Sequence, residues 1–360
     1  MTRAGLAAVL VGAALVAVGA RASAEVVIRI ASPAPEGTAW ARAGRAIANE
    51  LEQSTNGKVK LKVFLGGITG NELETADRMR RGQLDAIASG GMLCMKTMPS
   101  FRILRVVGLF QSRDESAYVS GRLRRTFEAE ARREGFVLLG DMGVGPDHTF
   151  STTPITSLAD LKRPRFWVWD LDDVMRVEMP SLGVNISPAP VEGAGRAFDE
   201  GKLNAFIATP TAALAFQWST QTRYVSDLRL GFLRGCVLVA TRVFDQLSVA
   251  EQQMLRASIA KLVAQLEDIG RRQDEALIGG LFERQGVRVV RATESFRAEF
   301  FEAARQAREK LGAKLVEPAL LQKVMSMLAD YRAEHAAGGP GAGSGGGSPS
   351  PSRAAPRVVR

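Results

Sequence analysis

The chain has 360 residues, 46% of them hydrophobic and 24% charged, with a formal net charge of +9. That is the composition of an ordinary globular protein, long enough for two lobes with sizeable cores. The positive charge is scattered rather than massed on one element: Lys58, Lys60 and Lys62 alternate with Val59, Leu61 and Val63 as the wet face of a half-buried strand, which speaks against a nucleic-acid partner. Two cysteines, two histidines and no CxxC, HExxH, GxSxG or phosphate-cradling glycine loop leave no metal site and no cofactor, and supply little for enzyme chemistry.

Arg3, the apolar run over 5–20 and the small-x-small triplet Ala22-Ser23-Ala24 read as an export signal cleaved near Ala24. The run is too short to span a membrane, and no cysteine at the cleavage site offers a lipid anchor. The expected destination is a Gram-negative periplasm.

The mature chain opens with a strand over 26–31 and a proline-rich turn. A helix follows from Thr38, its apolar stripe Trp40, Ala43, Ile47 and Leu51 spaced three and four apart. Asn56-Gly57 stops it. A strand over 59–65, a glycine loop and a helix capped by Asn71 lead to Gly82 and a strand over 84–88. This βαβαβ order predicts a parallel sheet covered by helices, whose ligands sit outside the carboxyl ends of the strands. Those ends are Ser32-Pro33, Gly66-Gly67 and Ser89-Gly90. Turn geometry alone explains each of the glycines taken singly.

A helix over 114–133 and a strand over 136–140 come next, then a glycine-rich stretch, 143–145, and an extended segment, 149–152. Adjacent Asp147 and His148 could serve a hydrolase as an acid–base pair, but neighbours along a chain rarely face each other usefully and no nucleophile motif accompanies them. A short helix over 157–161 precedes Arg165-Phe166-Trp167-Val168-Trp169, a strand in which Phe166 and Val168 point to one face and Trp167 and Trp169 to the other. Two indoles on one face are either core packing or a large apolar binding surface. Helices over 172–182 and 193–200 and a strand over 203–208 repeat the alternation and predict a second lobe. Ser248 and Glu251 form a capping box that opens a long helix with the stripe Leu255, Ile259, Leu262, Leu266 and Ile269. Two further helices cover 294–311 and 318–331. From residue 337 the chain is Gly, Pro and Ser with scattered arginines, a tail that buries no core. Export permits a bridge between Cys94 and Cys236; nothing in the sequence brings them together, and the expectation is two buried thiols.

An exported two-lobe α/β chain without catalytic residues points to a solute-binding protein. The order and spacing of several pieces resemble the substrate-binding (DctP-type) subunit of tripartite ATP-independent periplasmic (TRAP) transporters over roughly 26–328. These are Ile30-Ala31-Ser32-Pro33; Thr55-Asn56-Gly57-Lys58-Val59; Gly82-Gln83-Leu84-Asp85; Pro154-Ile155 with Asp160-Leu161-Lys162; Leu182-Gly183-Val184; and Ala197-Phe198-Asp199-Glu200-Gly201. The resemblance implies a two-lobe periplasmic solute-binding fold, each lobe a mixed sheet flanked by helices, with a long lobe-crossing helix and C-terminal helices. The expected division is 1–24 as signal, 25–140 with 226–247 as the first lobe, 141–225 with 248–334 as the second lobe together with the crossing and C-terminal helices, and 335–360 as a disordered tail. A small-molecule ligand would be trapped between the lobes and delivered to a membrane permease.

The departure from the family pattern is informative. Its members mostly read K-I-R-V-P after the D-L-K-G turn, and the arginine pairs with the substrate carboxylate. Aligned on Asp160-Leu161-Lys162, this chain has Trp167 at the arginine and Trp169 at the proline. A second, less regular family arginine falls near 145–148, where this chain has none. An indole cannot neutralise a carboxylate, and a buried unpaired anion costs several kcal/mol. The resulting expectation is a subunit with an apolar cleft for a hydrophobic or aromatic ligand, lined by Trp167 and Trp169, with Ser32, Pro33, Gly90, His148 and Thr209 at strand ends and hinges. Some members of such a subgroup work with a periplasmic tetratricopeptide protein. The competing readings are an organic-acid binder with its cation moved to Arg165 or Arg176, a cationic ligand over the tryptophans, and a periplasmic scaffold or sensor that binds a protein.

Overall fold

The computed structural model describes residues 25–337; the signal segment and the tail beyond 337 lie outside them. In chain order the elements are β1 (Val26–Ala31), α1 (Ala39–Ser54), β2 (Val59–Phe64), α2 (Glu72–Arg80), β3 (Ala86–Ser89), α3 (Met92–Thr97), a 3-10 turn (Pro99–Arg105), α4 (Arg113–Arg133), β4 (Phe136–Ser151), α5 (Leu158–Leu161), β5 (Arg165–Trp169), α6 (Asp173–Ser181), β6 (Asn185–Ala189), α7 (Val191–Asp199), β7 (Ala205–Ala208) and α8 (Pro210–Ala215). After a 3-10 turn (Trp218–Gln221) come β8 (Tyr224–Ser226), β9 (Gly231–Ala240), α9 (Thr241–Phe244), α10 (Val249–Ala276), a π turn (Leu277–Leu281), α11 (Phe282–Arg284), β10 (Arg288–Val290), α12 (Glu294–Glu309) and α13 (Pro318–Ala337).

The helices begin where side chains can satisfy their free N–H groups. Thr38, Asn71, Ser157, Thr209 and Ser248 all accept from backbone N–H groups of the helices they open, and Asn71 with Glu74 and Ser248 with Glu251 form complete capping boxes.

The strands run in the order β2-β1-β3-β9-β4-β7-β5-β6, with β8 on β4 and β10 on β8. β1 pairs in parallel with β2 and β3, and β5 in parallel with β6 and β7. β9 runs antiparallel to both β3 and β4. β4 is the element the two halves share: residues 136–147 pair with β9, and 148–151 pair with β7. The sequence predicts two separate extended pieces with a glycine-rich stretch between them. The ladder instead carries the glycines through as register shifts, at Leu138/Gly140 and Gly143/Gly145, within one strand of 16 residues.

In the first lobe, one sheet face packs Ile28, Ile30, Val137 and Val239 against Ile47 and Leu51 of α1 and Leu255, Ile259 and Leu262 of α10. Its other face meets α3, α4 and the first 3-10 turn. In the second, Phe166 and Val168 face α6 and α12, while Trp167 faces Phe206, Trp218 and the chain after α10. The alternation read from β5 therefore holds. α10 spans both lobes.

Within 248–334, the first half of α10 packs on the first-lobe sheet, and α13 returns Val324 and Leu328 to the core formed with Phe101 and Phe127. Two sequence expectations are corrected. The helix α13 runs to Ala337, so His335 is helical, stacked on Tyr331, rather than the start of a tail. Cys94 and Cys236 form a disulfide with Cα atoms 6.0 Å apart. The register opposes Ser89 to Cys236, and α3 begins three residues after Ser89, which brings Cys94 back over β9. The segment α3 was itself missed, because its residues are buried almost all round and show no helical period.

Candidate ligand cavity

A cavity of about 500 Å³ lies where the carboxyl ends of β1, β3, β5 and β7 converge. Ser32, Pro33, Gly90, Trp167, Trp169 and Thr209 all line it. A Cβ placed on Gly90 would stand 3.9 Å from both the Pro33 and Trp169 side chains, so these three residues form one corner. Trp167 is 4% exposed; its indole N–H donates to the Ala189 carbonyl at 3.0 Å, and its ring meets Trp218 at 4.6 Å between centroids. Trp218 in turn stacks on Phe216. Trp169 is only half-buried and presents more of its ring. Trp40 of α1 lines the same cavity, so all four tryptophans of the protein share one wall system.

Two sequence candidates lie elsewhere. His148 is buried in β4 with Nδ1 2.8 Å from the Ser226 carbonyl oxygen; burial drives its pKa down to about 4, and it is not among the lining residues. Arg165 sits at the amino end of β5, exposed, and donates to the Gly201 carbonyl. The cavity is at the carboxyl end of that strand, one strand length away. Arg176 is exposed and donates to the Asp170 carbonyl and to Asp173. Neither arginine reaches the cavity.

The arginine that does is Arg105, at the end of the first 3-10 turn and 8% exposed. Its Nε donates to Asp172 at 2.7 Å and its Nη1 to Asp147. Burial works against its charge, but the two carboxylates outweigh burial and hold it ionised. Asp147 thus pairs with Arg105 rather than with His148, and the acid–base pair of a hydrolase does not form. No local sequence signal marks this triad, whose members are 42 and 67 residues apart from Arg105.

A second polar group is also internally satisfied. Glu72 accepts from the Gly90 N–H at 2.6 Å, the Leu93 N–H at 2.7 Å and the Ser89 hydroxyl at 2.6 Å. Burial raises its pKa, and these bonds pull it back. The chain's own carboxylate thereby fills the backbone donors at the end of β3. The remaining charged lining residues, Asp170 and Glu192, are acidic. A wall of this kind can stack and enclose an apolar group, and it leaves no unpaired cation for an anion.

These features, two α/β halves sharing strands and a spanning helix around a central cavity, define a periplasmic-type solute-binding protein. The family model for bacterial extracellular solute-binding protein, family 7 (DctP) matches residues 30–315, and the chain belongs to that family. An uncharacterized protein of Haemophilus influenzae is 24% identical over 295 residues, covering 79% of this chain and 88% of its own length. A TRAP periplasmic solute-binding protein from Xanthobacter autotrophicus with bound β-D-galacturonate superposes with a TM-score of 0.75 at 22% identity, covering 84% of this chain and 99% of that one. A TRAP protein from Desulfovibrio salexigens with bound orotic acid gives a TM-score of 0.77 at 16% identity, covering 86% and 99%. Both ligands are acids. Among the described residues, no helix is long and apolar enough to cross a membrane.

Proposed function

We propose that this protein captures a small hydrophobic or aromatic molecule between its lobes, in the periplasm, and presents it to a TRAP membrane permease. Hand-over involving a tetratricopeptide partner belongs to the same proposal. The observation that carries it is a cavity lined by every tryptophan of the chain, whose one arginine is already held by two aspartates. An acidic ligand entering it would be desolvated without a free cation, at a cost of several kcal/mol. An aromatic or aliphatic ligand gains roughly 25 cal/mol for each Å² of apolar surface it buries.

Tryptophan fluorescence and thermal shift test this together. One panel holds indole, p-cresol and aliphatic alcohols; the other holds galacturonate, orotate and succinate. A ligand at a hundredfold excess over its Kd stabilises the native state by about 2.7 kcal/mol. The expected result is a shift with the apolar panel alone, weakened at least tenfold by Trp169→Ala. A shift with carboxylates alone would sink the reading. Arg105 supports a second reading, an acid binder in which the ligand displaces Asp147 or Asp172; a carboxylate shift lost in Arg105→Lys would establish that instead.

A further inference from the structure

The cavity does not end at the interlobe corner. Its wall continues along the first lobe, past Trp40 and Gly44 of α1, Leu61 and Val63 of β2, and Ile259 and Leu262 of α10. Leu61 and Val63 stand beside Ile28 and Ile30 in parallel register, on the core-facing side of the sheet. Ile28 and Ile30 are buried, whereas Leu61 and Val63 remain half-open. The layer between α1, β2 and α10 is therefore incompletely filled.

Gly44 shows why. It lies inside α1, where glycine costs about 0.5–1 kcal/mol relative to alanine. Neither usual reason for a helix glycine applies: its φ is not positive, and a Cβ built on it meets no atom within 4 Å. What the missing side chain provides is space, on the inward stripe of the helix and at the cavity wall.

We propose that this extension is a tail-binding arm, and that the ligand is an elongated molecule whose unbranched apolar chain runs from the tryptophan corner to the pocket beside Gly44. The inference rests on the apolar-cleft reading and adds chain length as the specificity. Each methylene buried in the arm strengthens binding about fourfold. A larger side chain at position 44 fills the arm and leaves the tryptophan corner untouched.

The test is a length series of straight-chain 1-alcohols, from hexanol to dodecanol, titrated by tryptophan fluorescence against the full mature chain. Gly44→Leu carries the plug and Gly44→Ala a minimal version of it. Gly121→Leu, an exposed helix glycine with no atom near its Cβ and no place in the cavity wall, is the control. Wild type and Gly121→Leu should bind more tightly as the chain lengthens. Gly44→Leu should lose at least tenfold for dodecanol while keeping hexanol and indole within about twofold, and Gly44→Ala should fall between, folded by its own thermal melt. If short probes bind but length brings no gain, or if Gly44→Leu binds dodecanol as wild type does, the arm is wrong and the corner stands. If no apolar probe binds at any length, both readings fall.

Discussion

At the scale of single residues, the cavity's chemistry comes from side chains that answer one another across long sequence distances. Trp167 is the residue the pattern of β5 singled out, yet it is nearly part of the core: its N–H is spent on Ala189 and its ring on Trp218. Half-open Trp169 is the better probe of binding, because truncating Trp167 would also cost the roughly 3–5 kcal/mol of a large core deletion. Glu178 of α6 offers a separate prediction. Burial pushes its carboxyl up to about 8, opposed only in part by the Val107 N–H, and its Oε1 is buried without a partner. A carboxyl whose folded pKa lies above its unfolded value stabilises most below the unfolded pKa, and that contribution is lost as pH rises toward the folded one. Thermal melts of wild type and Glu178→Gln should therefore diverge between about pH 6 and about pH 8, with the variant gaining roughly 2 kcal/mol over the window. Parallel melts across that range would show that Glu178 is not buried as a carboxylic acid at the lobe junction.

At the scale of elements, long helices with a cap and an apolar stripe were readable, whereas short ones such as α3 and α8 were not, even though Thr209 caps α8. Asn71 and Ser248 each announced a helix that the structure contains. Ser248→Ala should cost about 1 kcal/mol, because it removes the hydroxyl that accepts from the Glu251 N–H, and the melting temperature should drop accordingly. No change would mean that packing of α10 across both lobes outweighs its cap. The misses have a common cause. The short strands β6, β8 and β10 and the helix α3 are defined by their neighbours rather than by any periodicity of their own. Gly145, in the glycine-rich stretch, lies in a continuous strand. A Cβ there would come within 2.9 Å of Asp274 Oδ2 and 3.0 Å of Thr209, so the glycine serves close approach of α10 and α8 to β4.

At the scale of the whole molecule, the two lobes share the strand β4 and are spanned by α10. The disulfide ties α3 to β9 across 142 residues of chain. Chain-entropy reasoning puts the loss on removing such a link at about 2–5 kcal/mol. Cys94→Ala with Cys236→Ala should therefore lower the urea midpoint clearly, with a slope that rises because the unlinked denatured chain exposes more surface; an unchanged midpoint would mean that the two cores alone hold the first lobe. Most of the order of strands and helices, the caps of α2 and α10 and the alternation on β5 were present in the one-dimensional pattern, because propensity, period and motif are local properties. The disulfide, the Arg105–Asp147–Asp172 triad, the gathering of four tryptophans and the space beside Gly44 were not. Each depends on residues tens to hundreds of positions apart meeting at the ends of a sheet, and strand order is set by burial in three dimensions.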